Sequence, residues 1–247
     1  MRLRNFCAGP AAIPEPVLEE VKSELLEWGD SGLSIMEMSH RSSIFDKVAM
    51  EAKQDFIDLL DIPNEYDVLF LQGGATHQFS MVPMNFATHQ DSADYLLTGA
   101  WSKKAISEGS KYTNINIVAS SEAENFSNVP DIESWNLNPN AKYFHYAPNE
   151  TIQGVAIHQP PDLNAPIIAD MSSVILSGPI DVTKFSLIYA GAQKNIGPAG
   201  LTIVIINRDM LKKENPTNSN ILRYSQHSKN NSMLCLLYTS PSPRDRG

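Results

Sequence analysis

The chain has 247 residues, 42% of them hydrophobic, which is enough to bury a substantial core and sets it apart from disordered chains. Its 19 basic and 28 acidic residues leave a net charge of −9, which argues against a nucleic-acid-binding surface and leaves any bound phosphate to local cationic groups. Cys7 and Cys235 lie far apart without metal-ligand spacing and no segment reaches membrane-spanning length, so the expectation is a cytoplasmic protein with no disulfide framework, no metal centre and no membrane anchor.

Pro14 and Pro16 precede Val17, Leu18, Val21, Leu25 and Leu26, whose spacing predicts a helix with one apolar stripe, ending near Gly29. Ser39-His40-Arg41 fall in a loop, where a guanidinium can grip phosphate through two bonds; an exposed surface arginine and a histidine serving local hydrogen bonds are the plainer alternatives. A second amphipathic helix carries Phe45, Val48, Ala49, Ala52, Phe56, Leu59 and Leu60, and Pro63-Asn64 ends it. From there short apolar runs alternate with helical stretches: Val68–Leu71, Tyr95–Leu97, Ile115–Val118, Tyr143–Tyr146, Ile167–Ala169, Leu187–Tyr189 and Leu201–Ile206. Runs apolar throughout are strands covered on both faces, so the rhythm predicts an α/β fold with a mostly parallel sheet and a ligand site at the strand carboxyl ends. Residues 119–140 lack periodicity and are expected to form a surface excursion. The polar stretch 239–247 reads as disordered or foreign.

Several residues fall where such a sheet places chemistry. Gln72-Gly73-Gly74-Ala75-Thr76-His77-Gln78-Phe79 leads from a strand into a helix, either as an ordinary tight turn or as a backbone cradle for phosphate. Trp101 follows the next strand, suited either to the core or to stacking on a flat heteroaromatic ring. Thr151, in Pro148-Asn149-Glu150-Thr151, either caps a turn or offers its hydroxyl to a ligand. Asp170 ends one apolar run and Lys194 follows another. A lysine partly neutral at a buried strand end can form a Schiff base with an aldehyde, and an aspartate at a neighbouring strand end can hold a pyridine nitrogen protonated. Together they suggest a pyridoxal phosphate site.

The blocks Ala169-Asp170-Met171-Ser172-Ser173 and Gly191-Ala192-Gln193-Lys194-Asn195-Ile196-Gly197, with Ala8-Gly9-Pro10, Met36-Glu37-Met38-Ser39-His40-Arg41 and Gly73-Gly74-Ala75, closely resemble phosphoserine aminotransferases from about Phe6 to Met233. The resemblance implies a large pyridoxal-phosphate-binding domain of the aspartate-aminotransferase type over residues 16–233, a substrate-contacting segment over 1–15 and an unrelated tail over 234–247, with the family's small C-terminal domain missing. It further implies that Lys194 bonds the cofactor, Asp170 pairs with its ring nitrogen, Trp101 stacks on it, Thr151 and Gln193 contact it, and Ala75 and Thr76 meet its phosphate. Gly9, His40 and Arg41 are implied as substrate contacts. The implied reaction moves an amino group from L-glutamate to 3-phosphohydroxypyruvate, giving O-phospho-L-serine and 2-oxoglutarate, in a homodimer, with a related substrate of pyridoxine biosynthesis also admitted. Thr76 departs from an arginine common in bacterial members, and Leu234-Cys235-Leu236-Leu237 departs from an Asn-Thr-Pro-Pro-Thr segment. These departures keep two alternatives open: an inactive fragment that binds cofactor weakly or not at all, and another small-substrate enzyme of the same fold type.

Overall fold

The computed structural model describes residues 2–234, and its first elements are two helices, α1 (Glu15–Glu24) and α2 (Ser43–Leu59). Pro16 occupies the first turn of α1, where its missing N–H leaves no bond unmade, and Ser42 caps α2 by accepting the Phe45 N–H at 3.2 Å. Strands and helices then alternate as β1 (Tyr66–Gln72), α3 (Gly74–Phe86), β2 (Ser92–Leu97), α4 (Ala100–Gly109), β3 (Asn114–Ser120) and β4 (Phe144–Tyr146). The two-residue strands β5 (Asn149–Glu150) and β6 (Val155–Ala156) form a separate hairpin. After them come β7 (Ile167–Asp170), β8 (Leu187–Gly191), α5 (Ala192–Asn195), β9 (Leu201–Asn207), α6 (Arg208–Leu211) and α7 (Tyr224–Lys229).

Seven strands join in one sheet, ordered β1-β9-β8-β7-β4-β2-β3, and each of them contains one of the expected apolar runs except β4, which starts one residue into Tyr143–Tyr146. Pairing is parallel from β8 through β7, β4 and β2 to β3, while β9 runs antiparallel to both β8 and β1. The reversal has a simple cause: the stretch from Ala192 to Gly200 is too short for the crossover that a parallel partner needs. Successive strand residues face opposite sides, so Val68, Phe144, Ala169 and Ile205 pack into one apolar layer while Leu69, Tyr143, Ile168 and Val204 pack into the other. The first layer is covered by the end of α2, through Phe56, Ile57 and Leu60. Side chains of α3 and α4, including Phe79, Met81 and Ala105, cover the second.

The expectation for the first helix is corrected on one point: it stops at Glu24 rather than near Gly29. Its apolar stripe is partly exposed, Val21 at 54%. Residues 119–140 contain two short 3-10 turns, Glu122–Glu124 and Ile132–Ser134, and are pinned to the sheet by Trp135 stacked on Phe144 at 5.3 Å and by the Asn138 N–H donating to Asp94 Oδ2 at 2.9 Å. Among the described residues no helix is long and apolar enough to cross a membrane. The expected tail over 234–247 lies outside the described residues apart from Leu234.

Candidate active site

The strands β1, β2, β4, β7 and β8 point the same way, and the segments leaving their carboxyl ends converge. Lys194 sits in α5, directly after β8, and its Nζ donates to Thr151 Oγ1 at 2.7 Å while standing 4.2 Å from the centre of the Trp101 ring. Thr151 follows β5, and Trp101 belongs to the first turn of α4. Asp170 ends β7, buried, with Oδ1 accepting the Ser172 N–H at 3.0 Å and the Ser172 hydroxyl at 2.5 Å. Both bonds use Oδ1, which leaves Oδ2 to a ligand. Ser172 Oγ also accepts the Gly191 N–H at 2.9 Å and so locks the end of β7 to the end of β8.

The amine and the carboxyl perturb each other. Burial pushes the Asp170 carboxyl above the ordinary carboxylate range, against the bonds from Ser172 and the charge of Lys194, and the Glu150 charge adds to the rise. Burial likewise lowers Lys194 below an ordinary lysine; Asp170 and Glu150 act to raise it, and Lys104, whose Nζ also lies 4.5 Å from the Trp101 ring centre, acts with burial. The result is an amine more readily deprotonated than a surface lysine, beside a buried acid that makes no ion pair within 4 Å among the described residues.

Two further segments close on this pair. The first turn of α3 abuts β8: a Cβ at Gly191 would meet the Ala75 backbone nitrogen at 3.3 Å. Ala75 and Thr76 thereby present backbone N–H groups of a 13-residue helix, whose positive end suits an anion. From the other side the Ala11 N–H donates to the Gln193 carbonyl at 2.8 Å, and Gly9 lies against the Lys194 side chain. Gln193 Oε1 and Trp101 Nε1 are buried polar atoms without a partner among the described residues. An amine, a carboxyl, an indole face and a hydroxyl thus stand close together near a helix N-terminus, and their chemistry suits a flat pyridine ring with an aldehyde, a ring nitrogen and a phosphate arm. Lys194, Thr151, Trp101 and Asp170 could hold such a group, with the first turn of α3 beside them.

Comparison with known proteins is decisive for the family. A family model described as Aminotransferase class-V matches residues 4–232. The chain belongs to the class-V aminotransferases. Within that family it is 52% identical over 235 residues to the phosphoserine aminotransferase of Acinetobacter baylyi, covering 95% of this chain and 66% of the relative, and 50% identical to that of Hahella chejuensis, covering 93% and 64%. The chain therefore spans slightly less than two thirds of these relatives' length. Among solved structures, the phosphoserine aminotransferase of Bacillus circulans subsp. alkalophilus superposes with a TM-score of 0.92 at 44% identity, over 95% of this chain and 65% of that one. The pyridoxal-phosphate-bound enzyme of Trichomonas vaginalis gives a TM-score of 0.91 at 42% identity, over 95% and 66%.

Measured against this class-V framework, the sequence-derived candidates divide into two groups. Lys194 is in contact with Thr151 and Trp101, feels the charge of Asp170 and has Gly9 against its side chain, while Gln193 adjoins it in sequence and the Ala75 backbone nitrogen lies against Gly191. Arg41 is exposed, its backbone N–H bonded to Ser39 Oγ at 3.2 Å, and no hydrogen bond or ion pair among the described residues joins its side chain to Lys194 or Asp170. His40 is half-buried in the same loop. Among the described residues no group of three His, Cys, Asp or Glu side chains is placed to hold a metal ion. Sequence reasoning passed over Ser172 and Glu150, although both lie within quoted motifs. The Asp-x-Ser spacing of Asp170 and Ser172 was a readable signal, since such an aspartate bonds the backbone two residues on. Glu150 carries no such local signature, because its partners come from another element.

Proposed function

We propose that this chain carries the amino-transfer site of a phosphoserine aminotransferase, using pyridoxal phosphate to exchange an amino group between L-glutamate and 3-phosphohydroxypyruvate. The observation that carries this reading is the Lys194 amine held by Thr151 over the Trp101 ring, with Asp170 at the adjacent strand end. When bound, the cofactor supplies an aldehyde that captures amino groups and a ring that takes up carbanion charge. Lys194 attaches that aldehyde, and its depressed proton affinity supplies the neutral amine that attachment requires. The same amine, when free, would be placed to take a proton from the substrate's α-carbon and give it back.

Asp170 would hold a proton on the ring nitrogen, and a cationic ring N–H would favour the charged form that burial opposes. Trp101 would stack on the ring, Thr151 would offer its hydroxyl to the ring oxygen, Gln193 would add a polar contact, and the Ala75 and Thr76 N–H groups would take the phosphate. Gly9, His40 and Arg41 complete the proposal as substrate contacts; Gly9 against the Lys194 side chain supports the first, and the affinity of a guanidinium for phosphate supports the last. The proposal includes a cytoplasmic homodimer and admits the pyridoxine-pathway substrate. A second reading, cofactor binding without turnover, draws support from the exposed apolar stripe of α1 and the exposed position of Arg41.

One experiment separates the readings. Pyridoxal phosphate added to the purified chain is expected to give a visible band that borohydride fixes to Lys194, and L-glutamate is expected to discharge that band in a single turnover. Absence of any band would sink both readings, and a band that glutamate leaves intact would select binding without turnover.

A further inference from the structure

Glu150 is a carboxylate with no exposed surface, one residue before Thr151, and it has no part in the reaction as described above. Its two oxygens accept separate backbone N–H groups in the first turn of α4: Oε2 from Trp101 at 2.9 Å and Oε1 from Ser102 at 2.8 Å. Gln153, on the same hairpin, accepts the preceding N–H, that of Ala100, at 3.1 Å. Side chains of the β5–β6 hairpin thus satisfy three consecutive donors of α4 that the helix itself leaves open. The approach is close enough to exclude any side chain at Gly99, where a Cβ would stand 2.5 Å from Glu150 Cδ.

The placement serves more than capping. Trp101 and Thr151 form two walls of the space around Lys194, and they come from elements distant in the chain. Glu150 bonds the backbone of the first and is covalently next to the second. We infer that Glu150 is a positioning residue, a buried side chain that braces the Trp101 wall against Thr151 and thereby sets the surroundings of the Lys194 amine. The inference rests on the proposed amino-transfer reading, because only there do these walls act on one ligand. The charged groups facing Lys194 are Asp170, Glu150 and Lys104; the first two favour its protonated form and the third opposes it.

The test uses E150Q and E150D in the chain as it stands, with W101F as the optical reference. Lys194 acylation by acetic anhydride, followed by peptide mass spectrometry from neutral to strongly alkaline pH, needs no cofactor and reads the amine directly. Removing the charge in E150Q is expected to lower the midpoint for Lys194 by about half a pH unit or more, since an opposite charge nearby raises an amine. The part of the emission spectrum that W101F abolishes is expected to shift as Trp101 loses its brace, and E150D is expected to restore most of the labelling midpoint. A folded E150Q with the wild-type midpoint and the wild-type Trp101 emission would overturn the inference. Should E150Q fail to fold, E150D decides: withdrawing the carboxylate by one methylene must move the Trp101 emission, and an unchanged spectrum rejects the brace. Borohydride fixation of pyridoxal phosphate on Lys194 is scored separately. A wild-type chain that takes no cofactor while its E150Q midpoint moves would refute the amino-transfer reading and leave the charge relation standing.

Discussion

At the scale of single residues, Asp170 shows how a reactive site costs stability. Its carboxyl is raised by burial, so between the ordinary aspartate value near 3.8 and its own higher value the folded chain binds more protons than the unfolded one. Stability from this residue is therefore complete below about pH 4 and is lost as pH rises through the raised value. Asp170→Asn keeps an oxygen to accept both bonds from Ser172, so the cofactor-free variant is expected to match or exceed wild type in urea unfolding at neutral pH, with the difference vanishing below about pH 4. The same variant is expected to lose most amino-transfer activity, because an amide cannot hold the ring nitrogen protonated. Lower stability at neutral pH would show that Asp170 is not burdened by its burial. Lys194→Ala is expected to abolish the borohydride-fixed band and to slow amino transfer by about 10²–10⁴-fold or more. Both residues were legible in the sequence because each stands beside an apolar run of recognisable length. Ser172 was only half legible, and Glu150 was not, since the purpose of a buried charge depends on what the fold brings to it.

At the scale of elements, the strands were the most legible feature: burial on both faces leaves an apolar run that needs no knowledge of its neighbours. Direction was harder to read. Only the short link between β8 and β9 betrays the antiparallel strand, and link length enters through geometry rather than composition. The β5–β6 hairpin was invisible because each strand has two residues and no period to detect. Yet the hairpin carries Glu150, Thr151 and Gln153, and its fit to α4 depends on Gly99. Gly99 has an extended backbone that any residue can adopt, so the constraint there is space alone. Gly99→Ala must push the Glu150 side chain aside and is expected to lower stability by about 1–3 kcal/mol, the usual cost of overpacking, together with a weaker hold on pyridoxal phosphate. Thermal melts and cofactor titration check this, and a variant with wild-type values in both would mean that the hairpin yields freely.

At the scale of the whole molecule, residues 214–232 are mostly polar, and polar bonds anchor them to the rest of the described chain. Tyr224 is fully buried, stacks on Phe86 at 5.6 Å and donates to Gln78 Oε1 at 2.6 Å, Asn85 Nδ2 donates to the Leu222 carbonyl at 2.8 Å, and Ser232 Oγ accepts the Phe70 N–H at 2.9 Å. The segment thereby clasps α3 and β1, the two elements that meet at Gly73. Asp67 in β1 joins the clasp, accepting from Ser228 at 2.6 Å and from Arg208 at 2.9 Å and 3.0 Å. Burial works to raise the Asp67 carboxyl, but the bonds from Arg208 and Ser228 and the charges of Arg208 and Lys53 outweigh it and hold it below the ordinary range. A lowered carboxyl contributes stability that is present above about pH 4 and is lost as pH falls through its folded value. Arg208 is largely exposed, so its pair with Asp67 is screened, and Arg208→Ala is expected to cost about 1 kcal/mol or less at neutral pH. Tyr224→Phe strands Gln78 Oε1 in the core and is expected to cost about 1–3 kcal/mol. That second loss contains no titrating carboxylate and should persist in acid, whereas the Arg208→Ala loss should fade as Asp67 protonates. Urea unfolding of both variants at neutral pH and near pH 3 measures the contrast. If the two losses shrink together in acid, the clasp is held by charge throughout rather than by the buried tyrosine.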